Sequence, residues 1–207
     1  MSNQSFTLVF TVITPISSFS YPQSSFTIPR NEAFTCTPLI TGYNPSYSII
    51  SGSLPMGLVL NSSTGVISGI PIQSVFFQAV TIQAQNAASS NSFVLSFSVL
   101  LAVTLAYPQS SYSLLRNYDV SISPFFTGDS PSFSIQSGSL PYGIILNSST
   151  GVISGTPTQV QSSRSVIIKI QNSISSELFT LSFTVLASIS LFSYPQSYYV
   201  FRLGQSV

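Results

Sequence analysis

Three asparagines in this chain stand two residues ahead of a serine with no proline between, in Asn3-Gln4-Ser5, Asn61-Ser62-Ser63 and Asn147-Ser148-Ser149. That spacing is the acceptor pattern for N-linked glycosylation. Asn61 and Asn147 also suit a plain turn, because asparagine hydrogen-bonds its own backbone there. Other chemistry finds little support. The chain has no histidine, the usual general base and the commonest metal ligand. Serine is abundant, but a nucleophilic serine needs a base, and the one lysine, Lys169, falls on the outward phase of a strand. The four acids, Glu32, Asp119, Asp129 and Glu177, are scattered. They form neither a glycosidase pair nor the clustered oxygens of a calcium site. Gly65 with Gly69, and Gly151 with Gly155, lie in hairpin sequence with no helix to follow, so they cradle no phosphate. No catalytic residue, metal ligand or cofactor is expected, and the chain is not expected to be an enzyme. Covalent glycans are the modification expected.

The elements that carry these asparagines must be built with very little charge. Charged residues make up 4% of the 207, against about 25% in an ordinary globular domain. Ser, Thr, Gln and Asn must therefore cover the surface, and glycans or neighbouring subunits would shield it further. A net charge of +1 offers no basic face for nucleic acid, where affinity comes from many Lys and Arg on phosphates. Cys36 is the single cysteine, so no disulfide forms within the chain. It alternates in phase with Phe34 and reads as a small buried hydrophobe. No basic region followed by an apolar run opens the sequence at Met1. Mean hydropathy is positive at +0.45. The longest apolar stretch, Phe93 to Ala106, is shorter than the roughly 20 residues of a spanning helix and is read as strand, with no membrane insertion.

An internal repeat organises the chain. Tyr21-Pro22-Gln23 returns as Tyr107-Pro108-Gln109, 86 residues later, and again as Tyr194-Pro195-Gln196. The run SGSLPMGLVLNSSTGVISGIP from Ser51 returns as SGSLPYGIILNSSTGVISGTP from Ser137. Phe6, Leu8, Phe10 and Val12 match Phe93, Leu95, Phe97 and Val99. The expected plan is a last strand of a preceding repeat, or a donor strand, at 1–14. Repeats follow at 15–101 and 102–187, and the first strand of a further repeat at 188–207. A strand with one apolar face cannot be left in water, since burying each such side chain is worth about 1.5–3 kcal/mol. Both ends therefore point to a linear array, in one chain or between chains.

Within each repeat the pattern has a period of two. Val80, Ile82 and Ala84 face one side while Thr81, Gln83 and Gln85 face the other, as in strands with one buried and one wet face. Ser63-Thr64-Gly65 forms a tight hairpin, with glycine where positive φ is needed. Pro71 and Pro157 end the strand after it. Strands this short, separated this often by turns, predict an all-β fold of tandem immunoglobulin-like β-sandwich domains arranged linearly.

The run GSLPxGLxLNSSTGVISGTP, followed by a strand such as VTIQAQN, resembles the putative-Ig (He-PIG) family, whose members are cadherin-like β-sandwiches in surface proteins. The resemblance spans Ser51 to Asn86 and Ser137 to Asn172. It implies an extracellular or cell-surface spacer or adhesion module without catalytic function. The expected role is a structural protomer of a glycosylated fibril or appendage, whose partners are further copies of itself and its glycans. The alternative is an adhesin or carbohydrate-binding segment of a larger protein. The apolar run Leu100 to Ala106 is unlike a flexible linker and predicts domains packed end to end. Tyr21, Pro22, Tyr107, Pro108, Tyr194 and Pro195 are expected at the interdomain junctions, proline fixing chain direction and tyrosine filling the gap. Arg30, Arg116 and Arg202 recur in register, either bridging a junction or facing solvent.

Overall fold

The computed structural model describes residues 7–187. Among them are eighteen strands, numbered β1 to β18 in chain order, and no helix. No helix long and apolar enough to cross a membrane occurs among these residues. In the first unit β2 (Ser25–Pro29), β9 (Ser90–Leu100), β8 (Val75–Gln85) and β5 (Ser46–Gly52) form a four-stranded sheet in that order. Facing it are β3 (Phe34–Cys36), β7 (Ile67–Gly69) and β6 (Leu58–Leu60), while β1 (Ser18–Ser20) pairs with β4 (Leu39–Thr41). The second unit repeats the plan. Its four-stranded sheet runs β11 (Ser111–Leu115), β18 (Ser176–Leu186), β17 (Gln161–Gln171), β14 (Ser132–Gly138). Its other strands are β12 (Val120–Ile122), β16 (Ile153–Gly155) and β15 (Ile144–Leu146), with β10 (Thr104–Ala106) on β13 (Phe125–Thr127).

Two prolines shape each unit. The chain enters as β1, antiparallel to β4, and then crosses to the opposite sheet as β2, parallel to β9. Pro22 lies between the two strands, where it cannot donate to a ladder and its fixed φ turns the chain. Pro108 holds the same place between β10 and β11. Pro38 separates β3 from β4 in the same way, as Pro124 separates β12 from β13.

The alternation seen in the sequence becomes the core. Val80, Ile82 and Ala84 of β8 and Leu95, Phe97 and Val99 of β9 are buried against Ile67 of the opposite sheet. Val166, Ile168, Ile170, Leu181, Phe183, Val185 and Ile153 repeat this in the second unit. Cys36 is buried in the first core, and burial pushes its thiol up. The Asn61 turn is bonded throughout. Asn61 Oδ1 accepts from the amides of Ser63 and Thr64 at 2.9 and 3.0 Å. Gly65 then takes φ +71°, and a Cβ there would lie 2.6 Å from the Tyr47 ring.

Residues 7–14 form no strand among the described residues, and Leu8, Val9, Phe10 and Val12 are exposed. The sheet that their pattern would suit is that of another unit, since β9 already occupies the matching place in the first. The strand expected after residue 188 lies outside the described residues.

Gly65→Ala should destabilise the first unit by about 1–3 kcal/mol, through positive φ and contact with Tyr47. Chemical denaturation checks this, and a variant as stable as the parent contradicts the turn geometry.

Candidate functional site: the joint between the two units

β9 ends at Leu100 and β10 begins at Thr104, so three residues, Leu101, Ala102 and Val103, connect the units. Leu101 is bonded at both its amide and its carbonyl, and Val103 at its amide. The Leu101 amide donates to Asp129 Oδ2 at 2.6 Å. The Leu101 carbonyl accepts from Asn172 Nδ2 at 2.8 Å and from the Asp129 amide at 3.3 Å. The Val103 amide donates to Ser175 Oγ at 2.9 Å, and the Leu105 amide beyond it to Glu177 Oε2 at 2.9 Å. Val103 is itself buried in the second core.

Asp129 ties three parts of the molecule together. Its Oδ2 also accepts from the hydroxyl of Ser74, in the first unit, at 2.7 Å. The Leu101 amide first, then Ser74, with Arg30 adding a smaller attraction, hold this carboxyl below its ordinary range. Its contribution to the joint is therefore present above the ordinary carboxylate pKa and lost as pH falls through the lowered one.

Asn172 acts as a bracket. Its Oδ1 accepts from the Ser175 amide at 3.0 Å, closing the turn between β17 and β18. Its Nδ2 spans the Leu101 and Asp129 carbonyls, at 2.8 and 3.2 Å. Asn86 does the same one repeat earlier, bonding the carbonyls of Thr14 and Tyr43 at 2.9 Å each. The bracket is thus part of the repeat and grips the chain as it enters each unit. The carboxylate clamp is not, because Tyr43 and Val160 stand where Asp129 and Ser74 stand in the other copy.

The residues singled out from sequence fall in several places. Tyr21 and Tyr107 do not fill a junction. Both are buried inside their own unit, where each hydroxyl donates to a turn carbonyl, Gly65 or Gly151, at 2.6 Å. Tyrosine can bury its ring here because the turn supplies a carbonyl for its hydroxyl. Burial raises the Tyr21 hydroxyl strongly and pushes Tyr107 up to about 12, with a smaller push from Tyr112. Pro22 and Pro108 are exposed at the sheet crossing, within a unit and not between units.

Asn61 and Asn147 are exposed, and their Oδ1 atoms close the turns. Arg116 is exposed, while Arg30 is half-buried near Asp129 with its Nε unpaired. Asn3, Tyr194, Pro195 and Arg202 lie outside the described residues. Among the described residues no three His, Cys, Asp or Glu side chains gather as metal ligands. The residues that sequence reasoning missed are Asn86, Asn172, Ser74 and Asp129. Only the asparagines left a signal, recurring 86 residues apart at the end of the same strand with serine three residues on.

The family model described as Putative Ig domain matches residues 7–102 and 98–187. No curated protein matches the chain. Among solved structures, Drosophila OTK extracellular domains 3-5 align at 14% identity with a TM-score of 0.61, over 83% of this chain and 63% of that one. Murine CEACAM1b aligns at 10% identity and a TM-score of 0.53, over 82% of this chain and all of that one. A Dscam structure aligns at 11% identity and 0.51, over 82% of this chain and 46% of that one. At such identities the likeness is one of fold alone. The chain spans less than two thirds of the OTK fragment.

Asp129→Ala should leave the thermal unfolding of both units close to the parent and speed proteolytic cleavage between Leu100 and Thr104. Unchanged cleavage would show that the clamp does not hold the joint. A tyrosine pKa raised by burial gives stability that is full below about pH 10, the ordinary tyrosine value. The second unit should therefore weaken as pH rises from there through about 12, and Tyr107→Phe should flatten that loss in alkaline denaturation.

Proposed function

The chain belongs to the Putative Ig domain family, and from that membership and its bonded joint we propose that it is a structural segment of a linear, head-to-tail array of immunoglobulin-like units at the cell surface or outside the cell. The observation that carries this reading is the three-residue connector held by Asp129, Asn172 and Ser175. A connector bonded at both carbonyl and amide transmits direction from one unit to the next, which a spacer or fibril needs and a tethered module does not.

The repeated Asn86 and Asn172 brackets support extension of the same joint to further copies. The exposed, strand-patterned apolar residues at 8–12 suit the sheet of an adjoining unit. Asn61 and Asn147 are our proposed glycan sites, with Asn3 as a third. The turn engages Oδ1 of Asn61 and Asn147, and no bond to Nδ2, the atom a glycan joins, is made among the described residues. Sugar there would hydrate a surface with 4% charged residues. The role needs no cofactor and no catalysis.

An adhesive segment is the second reading. It is favoured by an open groove of about 490 Å³ beside the free edges of β14 and β15, lined by Ile135, Leu140 and Ile145 among others. A groove of about 460 Å³ repeats it beside β5 and β6.

Electron microscopy of the native assembly tests the array directly. Continuous rods with a regular repeat are expected, and freely jointed beads would contradict the reading. Enzymatic removal of N-glycans from chain made in a secretory eukaryotic host should lower its mass, and Asn61→Gln with Asn147→Gln should abolish most of that shift.

A further inference from the structure

Because the two units repeat one plan, whatever the fold itself requires stands in both. One face departs from this. In the first unit Met56, Ile70, Ile72, Phe76 and Phe77 are exposed at 60, 50, 52, 66 and 73%. At the same repeat positions the second unit carries Tyr142, Thr156, Thr158, Ser162 and Ser163. Charge follows the same division. Ala33 and Gln78 of the first unit stand where the second has Asp119 and Arg164, and Thr156 Oγ1 donates to Asp119. The core beneath is alike in both units, so the fold does not require the apolar version.

Hydrogen bonds bring the segments that carry these side chains to one end of the first unit. The Ile72 amide donates to the Met56 carbonyl at 3.0 Å, the Ile70 amide to Gly57 at 3.1 Å, and the Asn31 amide to Pro71 at 2.8 Å. Three segments are thereby laid side by side. Phe76 and Phe77 sit where the register of β8 against β9 shifts between Val75 and Gln78. Gln78 Nε2 donates to the Ser53 carbonyl at 2.9 Å, tying this end of β8 to the loop that carries Met56. Glu32, on the turn beside them, is exposed, is the only acid of the first unit and stands where the second has Tyr118, the one position at which charge runs the other way.

We propose that this face is an interaction surface whose partner is the same face of a second copy of the chain, the two related by a two-fold axis. Five side chains exposed to this degree present on the order of 500 Å². Two such faces apposed remove about 1,000 Å² from water, the threshold for a specific interface. Phenylalanine and methionine in place of charge is the composition of an interface centre. A self-complementary apolar contact needs no opposite charge from its partner, and this chain has little charge to offer. The contact is independent of the end-to-end array, because an isologous pair closes at two copies while an array keeps growing.

Light scattering of the full chain over a concentration series tests the pairing. The mass should rise from one chain to two. The variant Ile70→Thr, Ile72→Thr, Phe76→Ser, Phe77→Ser takes residues that already serve the second unit. It should stay single with unchanged thermal unfolding. Phe77→Ser alone, the most exposed of the five, should weaken the pair by about tenfold while leaving the fold intact. A parent chain that stays single throughout overturns the proposal. So does a pair that survives the fourfold swap, or growth past two chains with no two-chain species.

Discussion

With four acids and five bases in 207 residues, this structure depends on neutral hydrogen bonds where other proteins use ion pairs. A backbone group turned away from its ladder must still find a partner. Asparagine, serine and tyrosine side chains provide such partners at several places where a ladder stops. Asn61 and Asn147 close the turns between paired strands. Asn86 and Asn172 close the turns at the end of each four-stranded sheet and also grip the incoming chain. Tyr21 and Tyr107, buried in their cores, satisfy a glycine carbonyl of the turn between β6 and β7 or between β15 and β16. A net bond of this kind contributes about 0.5–1.5 kcal/mol, but leaving its buried partner unpaired costs more. That asymmetry explains why the same residues stand at the same places in both copies.

The joint extends the same principle from within a unit to between units. The bracket asparagine belongs to the repeat, so every copy carries the means to fix the chain that enters it. Onto this the joint between the two described units adds the Asp129 carboxylate, one of the few charges in the chain. The bracket is thus common to both described units, while the clamp belongs to the joint between them. Differences of this kind, and the apolar residues found on only one unit, are where two copies of one plan can acquire separate roles.

Much of the fold was legible in the sequence because it rests on periodicities that hydrophobic burial imposes. The alternation at Val80, Ile82 and Ala84, the Gly65 turn and the repeat itself need no tertiary knowledge to read. The Tyr-Pro step was legible as a fixed point but not as to place. Its position before each new strand suggested a boundary between units, whereas the structure puts the proline at the sheet crossing and the tyrosine in the core. A sheet switch leaves no periodic trace, because the side chains on both sides of it keep alternating. Asp129 and Ser74 were illegible for a related reason. They come together only through a contact between units, 55 residues apart, and neither recurs in the repeat.

The central claim is that the two units are held in one orientation by the Leu101 to Val103 connector. Residual dipolar couplings measured on the whole chain in dilute aligned solution test it most directly. A single alignment tensor fitting the amides of both units is the predicted result. Two tensors of different magnitude, one for each unit, would mean that the units reorient freely and would contradict the account.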